Sequence, residues 1–188
     1  MGFTIDVGKP APGFHLKGMD GKFRSLADYA DSKAVVVVFT CNHCPAAVKA
    51  EDRLIQLQKD YAARGVQLIA INSNEDEGHP TDSYEHMIQR AADKGFNFPY
   101  LRDETQQVAT AYGALRTPHV FLLDQSRKVV YHGRVDDNIN DAGAVTRHDL
   151  REALDEALEG KQVSVAITQP VGCTVKWRGK DPHWTPTG

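Results

Sequence analysis

The chain has 188 residues, a formal net charge of −3, 41% hydrophobic residues and 25% charged residues. This size and balance favour one globular domain, and a nucleic-acid binder would carry a basic excess that is missing here. No apolar run approaches the ~20 residues that cross a bilayer, and residues 1–12 lack the apolar core of a signal peptide. We therefore expect a cytoplasmic protein with neither a nucleic-acid nor a membrane partner.

The first predicted elements are a hairpin and a buried strand. Asp20-Gly21 lies between short apolar segments around Phe14 and Phe23, and Asp-Gly is a strong hairpin signal. Residues 34–39 contain four consecutive valines, which is typical of a strand that is buried on both faces of a sheet.

A helix over residues 45–64 is predicted next. Pro45 suits a first helical turn because its missing N–H has no partner to lose there, and Gly65 can end the helix in a left-handed conformation. The remaining predicted elements are a strand over 66–71, helices over 82–94 and 105–112, strands over 120–123 and 128–132, and a helix over 149–158.

This order predicts an α/β protein with a mixed central sheet flanked by helices and preceded by an N-terminal β-hairpin. Residues after Gly160 show no periodicity and carry several prolines. We therefore divide the chain into a redox domain over 1–160 and an irregular C-terminal tail over 161–188 that packs on it.

Two cysteines lie at the predicted junction between the buried strand and the following helix. Cys41 and Cys44 are separated by two residues, so a turn brings both sulfurs within bonding distance. A helix N-terminus stabilises a thiolate, the species that attacks disulfides, and His43 adds positive charge nearby. The pattern predicts reversible thiol–disulfide exchange.

Two other uses of the cysteines are open. A zinc site needs four ligands, usually from a second close pair, but Cys173 is the one remaining cysteine, and His119 and His132 are isolated in the sequence. Two inert buried thiols are the other alternative. We favour redox chemistry and expect neither a metal nor a cofactor.

Thr117-Pro118 precedes the predicted strand over 120–123. A cis proline at a strand start would place backbone groups against a neighbouring loop, whereas a trans proline is the commoner case. The local sequence alone does not decide between them.

Cys41-Asn42-His43-Cys44-Pro45 and Thr117-Pro118 together resemble the thioredoxin superfamily. The segments over 8–14, 20–26, 70–74 and 133–137, with Gly172-Cys173 and Lys176-Trp177, are similar to its peroxiredoxin-like and TlpA-like (AhpC/TSA) subgroup that keeps a CxxC motif. The resemblance implies a thioredoxin fold, a catalytic Cys41–Cys44 pair and a cis-proline at Pro118. The residues expected to shape the site are Thr40, Asn42, His43, Pro45, Arg116, Thr117 and Pro118.

The chain departs from both relatives at informative positions. Val35 occupies the place of the buried acid of thioredoxins, and Thr40 replaces their tryptophan. If Cys44 matches the peroxidatic cysteine of peroxiredoxins, Cys41 stands where those proteins keep a threonine. Arg116 and Arg134 are the candidates for a peroxidase arginine.

We predict a thiol–disulfide oxidoreductase that acts on protein or small-molecule thiols and disulfides. The alternatives are a thiol peroxidase that uses Cys44 and a non-enzymatic redox sensor. Cys173 is expected to be a packed, mostly reduced thiol that helps to anchor the tail on the domain. The sequence leaves the substrate, the electron donor and the oligomeric state open.

Overall fold

The computed structural model describes residues 2–186. Its strands are β1 (His15–Gly18), β2 (Phe23–Ser25), β3 (Ala34–Phe39), β4 (Val66–Asn72), β5 (Tyr100–Arg102), β6 (Arg116–Thr117), β7 (His119–Leu123), β8 (Val129–Gly133) and β9 (Cys173–Thr174). Its α-helices are α1 (Pro45–Tyr61), α2 (Tyr84–Lys94), α3 (Gln107–Tyr112) and α4 (Asp149–Leu158). Among these residues, no helix is both long enough and apolar enough to cross a bilayer.

Seven strands form a mixed sheet in the order β2-β1-β5-β4-β3-β7-β8. The central strand β3 is parallel to β4 and antiparallel to β7. The predicted hairpin and mixed sheet are confirmed. Strand β5 was not predicted, because its three residues give too short a pattern to identify; parallel pairing with β4 makes it a strand.

The valines of β3 alternate between two apolar layers. Val36 and Val38 pack in the layer that contains apolar residues of α1, α2 and α4. Val35 and Val37 pack in the opposite layer with α3. All four valines are 0% exposed, so β3 is the rigid element whose end carries the first cysteine.

Helix α1 begins with Pro45 in its first turn and ends at Tyr61. A single 3₁₀ turn over Ala62–Arg64 follows, and Gly65 closes it with φ of 81°. Such a left-handed residue favours glycine because a Cβ would clash with the backbone. The predicted helix is confirmed, with its last turn tightened.

Helix α2 begins two residues later than predicted. Ser83 is its N-cap and accepts a hydrogen bond from the backbone N–H of His86, the usual role of serine at that position. Asp82, the predicted first residue, belongs instead to a 3₁₀ turn over Pro80–Asp82 and is 0% exposed.

The tail is more regular than expected. Ile167 forms a parallel bridge with His132, and β9 pairs antiparallel with β6 in a second, two-stranded sheet. These strands are too short to produce periodicity in the sequence. These contacts join residues of the tail to the body, and Cys173–Thr174 form a strand within the segment that was predicted to be irregular.

Candidate active site

The chemistry-bearing segment begins where β3 ends. Thr40 is buried, and its backbone N–H donates to the Ile71 carbonyl at 2.9 Å. Cys44 is the N-cap of α1, with Pro45 behind it. The Cys44 backbone N–H donates to the Cys41 sulfur at 3.3 Å. Both sulfurs therefore lie at the positive end of a helix, where negative charge is stabilised.

Cys44 is 0% exposed and is surrounded by donors. The backbone N–H of Cys173 donates to its sulfur at 3.3 Å, and its thiol form donates to the Thr117 carbonyl at 3.4 Å. A hydrogen bond from the Cys41 thiol, above all, lowers the pKa of Cys44 to about 4; the Cys173 thiol and the backbone N–H groups of Ala47 and Cys173 contribute, and burial opposes them. Cys44 is therefore a thiolate at neutral pH.

Cys41 is the protonated partner. It is 1% exposed, and its sulfur lies 3.3 Å from the Thr117 hydroxyl. Its hydrogen bond to Cys44 raises its pKa well above the ordinary value, and burial and the negative charge of Asp82 raise that pKa further. The Thr117–Pro118 peptide bond is cis, as the resemblance implied.

A buried carboxylate lies beside the cysteine pair. Asp82 forms a short hydrogen bond and ion pair with Nδ1 of His43, whose side chain is 27% exposed. Cys41, His43 and Asp82 place one potential ligand atom each within 4.8 Å of one another. The hydrogen bond to Asp82 raises the pKa of His43, against the effect of burial.

The backbone and asparagine side chains fix the Asp82 carboxylate. It accepts from the Asn42 backbone N–H at 2.6 Å, from Asn72 at 3.2 Å and from Asn74 at 3.1 Å. Burial alone would raise the pKa of Asp82, but the hydrogen bonds from His43, Asn42 and Asn74 lower it below its ordinary value. Asp82 is therefore a charged, oriented partner of His43.

Sequence reasoning missed this role of Asp82. The sequence pattern assigned the residue to the start of a helix over 82–94. The available signal was the polar run Asn72-Ser73-Asn74 after a buried strand, since buried polar side chains require partners. The run contributes the two amides that hold the carboxylate.

A second histidine–carboxylate pair lies against the first. The His79 ring stacks on the His43 ring with centroids 5.1 Å apart, and His79 Nδ1 lies 2.5 Å from Glu75. Burial alone would raise the pKa of Glu75, but hydrogen bonds from the backbone N–H of Gly78 and from His79 lower it below its ordinary value.

Cys173 lies with the cysteine pair rather than away from it. It packs against the small cluster of Cys41, Cys44 and Ala47, and it is partly exposed. Burial and the hydrogen bond to Cys44 raise the pKa of Cys173 to about 11, although the charge of Lys176 opposes them. All three cysteines are free thiols.

The predicted site residues separate into two groups. Thr117 and the Cys41–Cys44 segment come together around the sulfurs. Arg116 donates instead to the Gly172 carbonyl at 2.9 Å, and its positive charge acts on Cys173. Arg134, the other candidate peroxidase arginine, pairs with Asp149 at 2.8 Å.

A metal ion bound here would have to replace hydrogen bonds that the candidate ligand atoms already make. Within residues 2–186, the only cluster with metal-ligand spacing consists of Cys41, His43 and Asp82. His43 and Asp82 bond directly to each other, and the Cys41 sulfur accepts the Cys44 backbone N–H. The contacts are those of a thiol beside a hydrogen-bonded histidine–carboxylate pair.

Comparison with known proteins places this site in a family. The Redoxin family profile matches residues 6–154. The thiol-disulfide oxidoreductase ResA of Geobacillus thermodenitrificans is 29% identical over 152 residues, which cover 81% of this chain and 78% of ResA. ResA of Bacillus subtilis is 29% identical over 127 residues, covering 68% of this chain and 66% of that protein.

Solved structures agree on the fold. An uncharacterized conserved protein from Geobacillus kaustophilus is 41% identical, with a TM-score of 0.87 and 96% of each chain covered. A hypothetical protein from Sinorhizobium meliloti is 38% identical, with a TM-score of 0.89 and coverage of 95% of this chain and 98% of that one. A thiol:disulfide interchange protein DsbE, named as putative, from Chlorobium tepidum shares the fold at a TM-score of 0.63 and 24% identity, covering 84% of this chain and 98% of that one. The chain therefore belongs to the Redoxin family, as a thiol–disulfide oxidoreductase of thioredoxin fold with a CxxC pair.

Proposed function

We propose that Cys44 is the attacking thiolate and Cys41 the resolving thiol, acting on disulfides of proteins or small molecules. The observation that carries the proposal is the position of both sulfurs at the N-terminus of α1, where the pKa of Cys44 falls to about 4. A thiolate at neutral pH is the reactive species in disulfide exchange.

The exchange proceeds in two displacements. The Cys44 thiolate attacks one sulfur of a substrate disulfide, which forms a mixed disulfide and releases the first substrate thiolate. Cys41 then loses its proton and attacks the Cys44 sulfur. A Cys41–Cys44 disulfide forms, the second substrate thiolate leaves, and the substrate has gained two electrons. The reverse sequence oxidises a dithiol.

His43 is proposed to carry the proton of Cys41. One of its ring nitrogens lies within 4.8 Å of the Cys41 sulfur, and its partly exposed ring has access to water. Asp82 orients the ring and keeps its pKa raised. Asp82 thus supports proton transfer from the 3₁₀ turn that precedes α2, although Val35 replaces the acid of thioredoxins on β3.

Mass spectrometry and a turnover assay test the proposal. Oxidised glutathione should yield a Cys41–Cys44 disulfide in the wild type, and dithiothreitol-driven reduction of insulin should continue over many cycles. Cys44→Ser should reduce turnover to the uncatalysed rate. A wild type that leaves both thiols free, or a Cys44→Ser variant that still turns over, would overturn the assignment. A single stoichiometric event without turnover would identify a sensor.

A cytoplasmic site of action and the absence of a cofactor stay predictions from the sequence.

A further inference from the structure

Cys44 lies between two other thiols. On one side it hydrogen-bonds with Cys41, and on the other side with Cys173. The backbone N–H of Cys173 also donates to the Cys44 sulfur at 3.3 Å. The central sulfur is therefore in reach of two alternative disulfide partners, one 3 positions away and one 129 positions away in the chain.

The folded tail holds the distant partner in place. Cys173 pairs with Thr117 across the β6–β9 sheet, and the Arg116 side chain donates to the Gly172 carbonyl. At Gly172, an added Cβ would lie 2.0 Å from the Thr117 carbonyl oxygen, so only glycine permits this approach. Val175 is 2% exposed and anchors the following residues. Folding therefore already brings Cys173 beside Cys44, and a disulfide between them would carry no further entropic cost of closing the loop.

The three thiols differ in accessibility. Cys41 is 1% exposed and Cys44 is 0% exposed, whereas Cys173 is partly exposed. A substrate sulfur must approach in line with the bond that it breaks, so exchange requires access to the attacked sulfur. Cys173 is the one member of this cluster that an external thiol reaches without displacing the protein around it.

We propose that Cys173 is the substrate-facing thiol of a three-cysteine relay, which transfers the disulfide between the buried Cys41–Cys44 pair and a protein or small-molecule dithiol. The relay rests on the Cys41–Cys44 exchange proposed above, and it places the mixed disulfide with the substrate on Cys173 instead of on the buried Cys44. It replaces the sequence-based expectation that Cys173 only anchors the tail.

Each step is a balanced thiol–disulfide displacement. The Cys173 thiolate attacks Cys44 in the Cys41–Cys44 disulfide; the Cys44–Cys173 bond forms and Cys41 leaves as a thiolate that takes a proton. A substrate thiolate then attacks Cys173, which releases the Cys44 thiolate. The second substrate thiol displaces Cys173 as a thiolate. The substrate leaves as a disulfide, and the protein holds three reduced cysteines.

The charges around Cys173 favour this order of events. After burial, the main causes that raise the pKa of Cys173 are the hydrogen bond and the negative charge of Cys44, while Lys176 and Arg116 lower it. Both effects of Cys44 disappear once Cys44 is bonded to Cys41. Cys173 thus becomes easier to ionise when the buried pair is oxidised, which is when the relay needs it.

The first experiment traps the intermediate. Cys41→Ser is treated with one equivalent of oxidised glutathione and digested without reduction. The relay predicts a Cys44–Cys173 peptide and release of both glutathione molecules as thiols. A stable glutathione adduct on Cys44 with a free Cys173 would overturn it, because the tail thiol would then fail to reach Cys44.

The second experiment measures how fast dithiothreitol reduces the oxidised full-length protein. Cys173→Ser should still form the Cys41–Cys44 disulfide, but its reduction should be at least about tenfold slower because access is lost. Thr174→Val is the matched control: it removes a tail hydroxyl that donates to the Pro182 carbonyl and accepts from Lys176, while Lys176 keeps its own bond to Pro182 and all three thiols remain. Its rate should equal that of the wild type.

The outcomes separate the two proposals. Normal reduction of oxidised Cys173→Ser would overturn the relay and leave the Cys41–Cys44 exchange intact. Equal slowing in Thr174→Val would also overturn the relay, since the tail would then act through its packing. Failure of the wild type to form any Cys41–Cys44 disulfide would overturn the exchange itself.

Discussion

The two sides of Cys44 are built differently. On one side, Cys41 is 1% exposed and lies beside the anchored His43–Asp82 pair. On the other side, Cys173 is partly exposed and is influenced by the positive charges of Lys176 and Arg116. The difference agrees with the two proposed roles: the His43–Asp82 side transfers the proton of Cys41, and the Cys173 side contacts the substrate. Substitutions on the His43–Asp82 side should therefore change the pH dependence of turnover, whereas substitutions on the Cys173 side should change substrate access and tail stability.

Peroxide reactivity tests whether either side also provides a peroxidase site. Within residues 2–186, no arginine side chain hydrogen-bonds to a cysteine sulfur. Efficient enzymes approach 10⁸ M⁻¹s⁻¹, and we expect oxidation of Cys44 by hydrogen peroxide to stay below about 10⁴ M⁻¹s⁻¹. Stopped-flow measurement of the reduced protein checks this. A rate near ~10⁶ M⁻¹s⁻¹ would contradict it and make the peroxidase alternative the better description.

Asp82→Asn tests the buried side. The variant removes the charge that raises the pKa of His43, so that pKa should fall toward its ordinary value of 6.5. A raised histidine pKa stabilises the fold below pH 6.5, and that contribution is lost as pH rises through the folded-state pKa. His43 accepts the Cys41 proton in its neutral form, so the acidic limb of insulin-reduction turnover should move to lower pH in Asp82→Asn.

The loss of turnover in Asp82→Asn at pH 7 should be about tenfold. General acid–base catalysis contributes about 10²-fold or more, but removal of the negative charge also lowers the pKa of Cys41 and partly offsets the loss. Glu75→Gln is the matched control, since it disrupts the outer His79–Glu75 pair. If both variants show the same pH profile, Asp82 has no special part in proton transfer.

Gly172→Ala tests how tightly the tail is held. The added Cβ would overlap the Thr117 carbonyl, which belongs to the backbone and has no side-chain freedom with which to move away. We expect a loss of about 2 kcal/mol in the free energy of unfolding, typical of overpacking. Gly13→Ala is the control because its Cβ would meet nothing within 4 Å. Urea unfolding that gives equal values for both variants would mean that the tail accommodates the methyl group.

The parts of the site that follow directly from neighbouring residues were predictable. The cysteine pair, Pro45 and the buried valine strand form one continuous segment, and each rests on a local rule of helix capping or strand burial. The prediction of this strand–helix junction is confirmed. The cis bond before Pro118 came from the family resemblance, because the same dipeptide fits a trans bond.

The parts that depend on distant segments were not predictable in the same way. Asp82 is drawn into the site by amides from the end of β4, and its local sequence fits a helix start equally well. Cys173 lies beside Cys44 because a two-residue strand pairs with another two-residue strand. Pairs that short leave no pattern in the sequence, since their register comes from the fold around them.

The smallest expected effect concerns the contribution of Cys173 to stability in the reduced protein. A serine at this position keeps a hydroxyl that can donate to the Cys44 thiolate, whereas an alanine cannot. Cys173→Ser should therefore lower the free energy of unfolding by about 1 kcal/mol or less, and Cys173→Ala by slightly more.

The difference between the serine and alanine variants should depend on pH. The pKa of Cys44 is lowered from 9.0 to about 4, so stabilisation of its thiolate is complete above pH 9 and is lost as pH falls through 4. Urea unfolding under reducing conditions at pH 4, 5.5 and 7 is the measurement. We expect the alanine–serine difference to be smallest at pH 4 and to grow as Cys44 ionises. A constant difference would mean that Cys173 stabilises the tail through packing alone, because a packing contact is indifferent to the charge on Cys44.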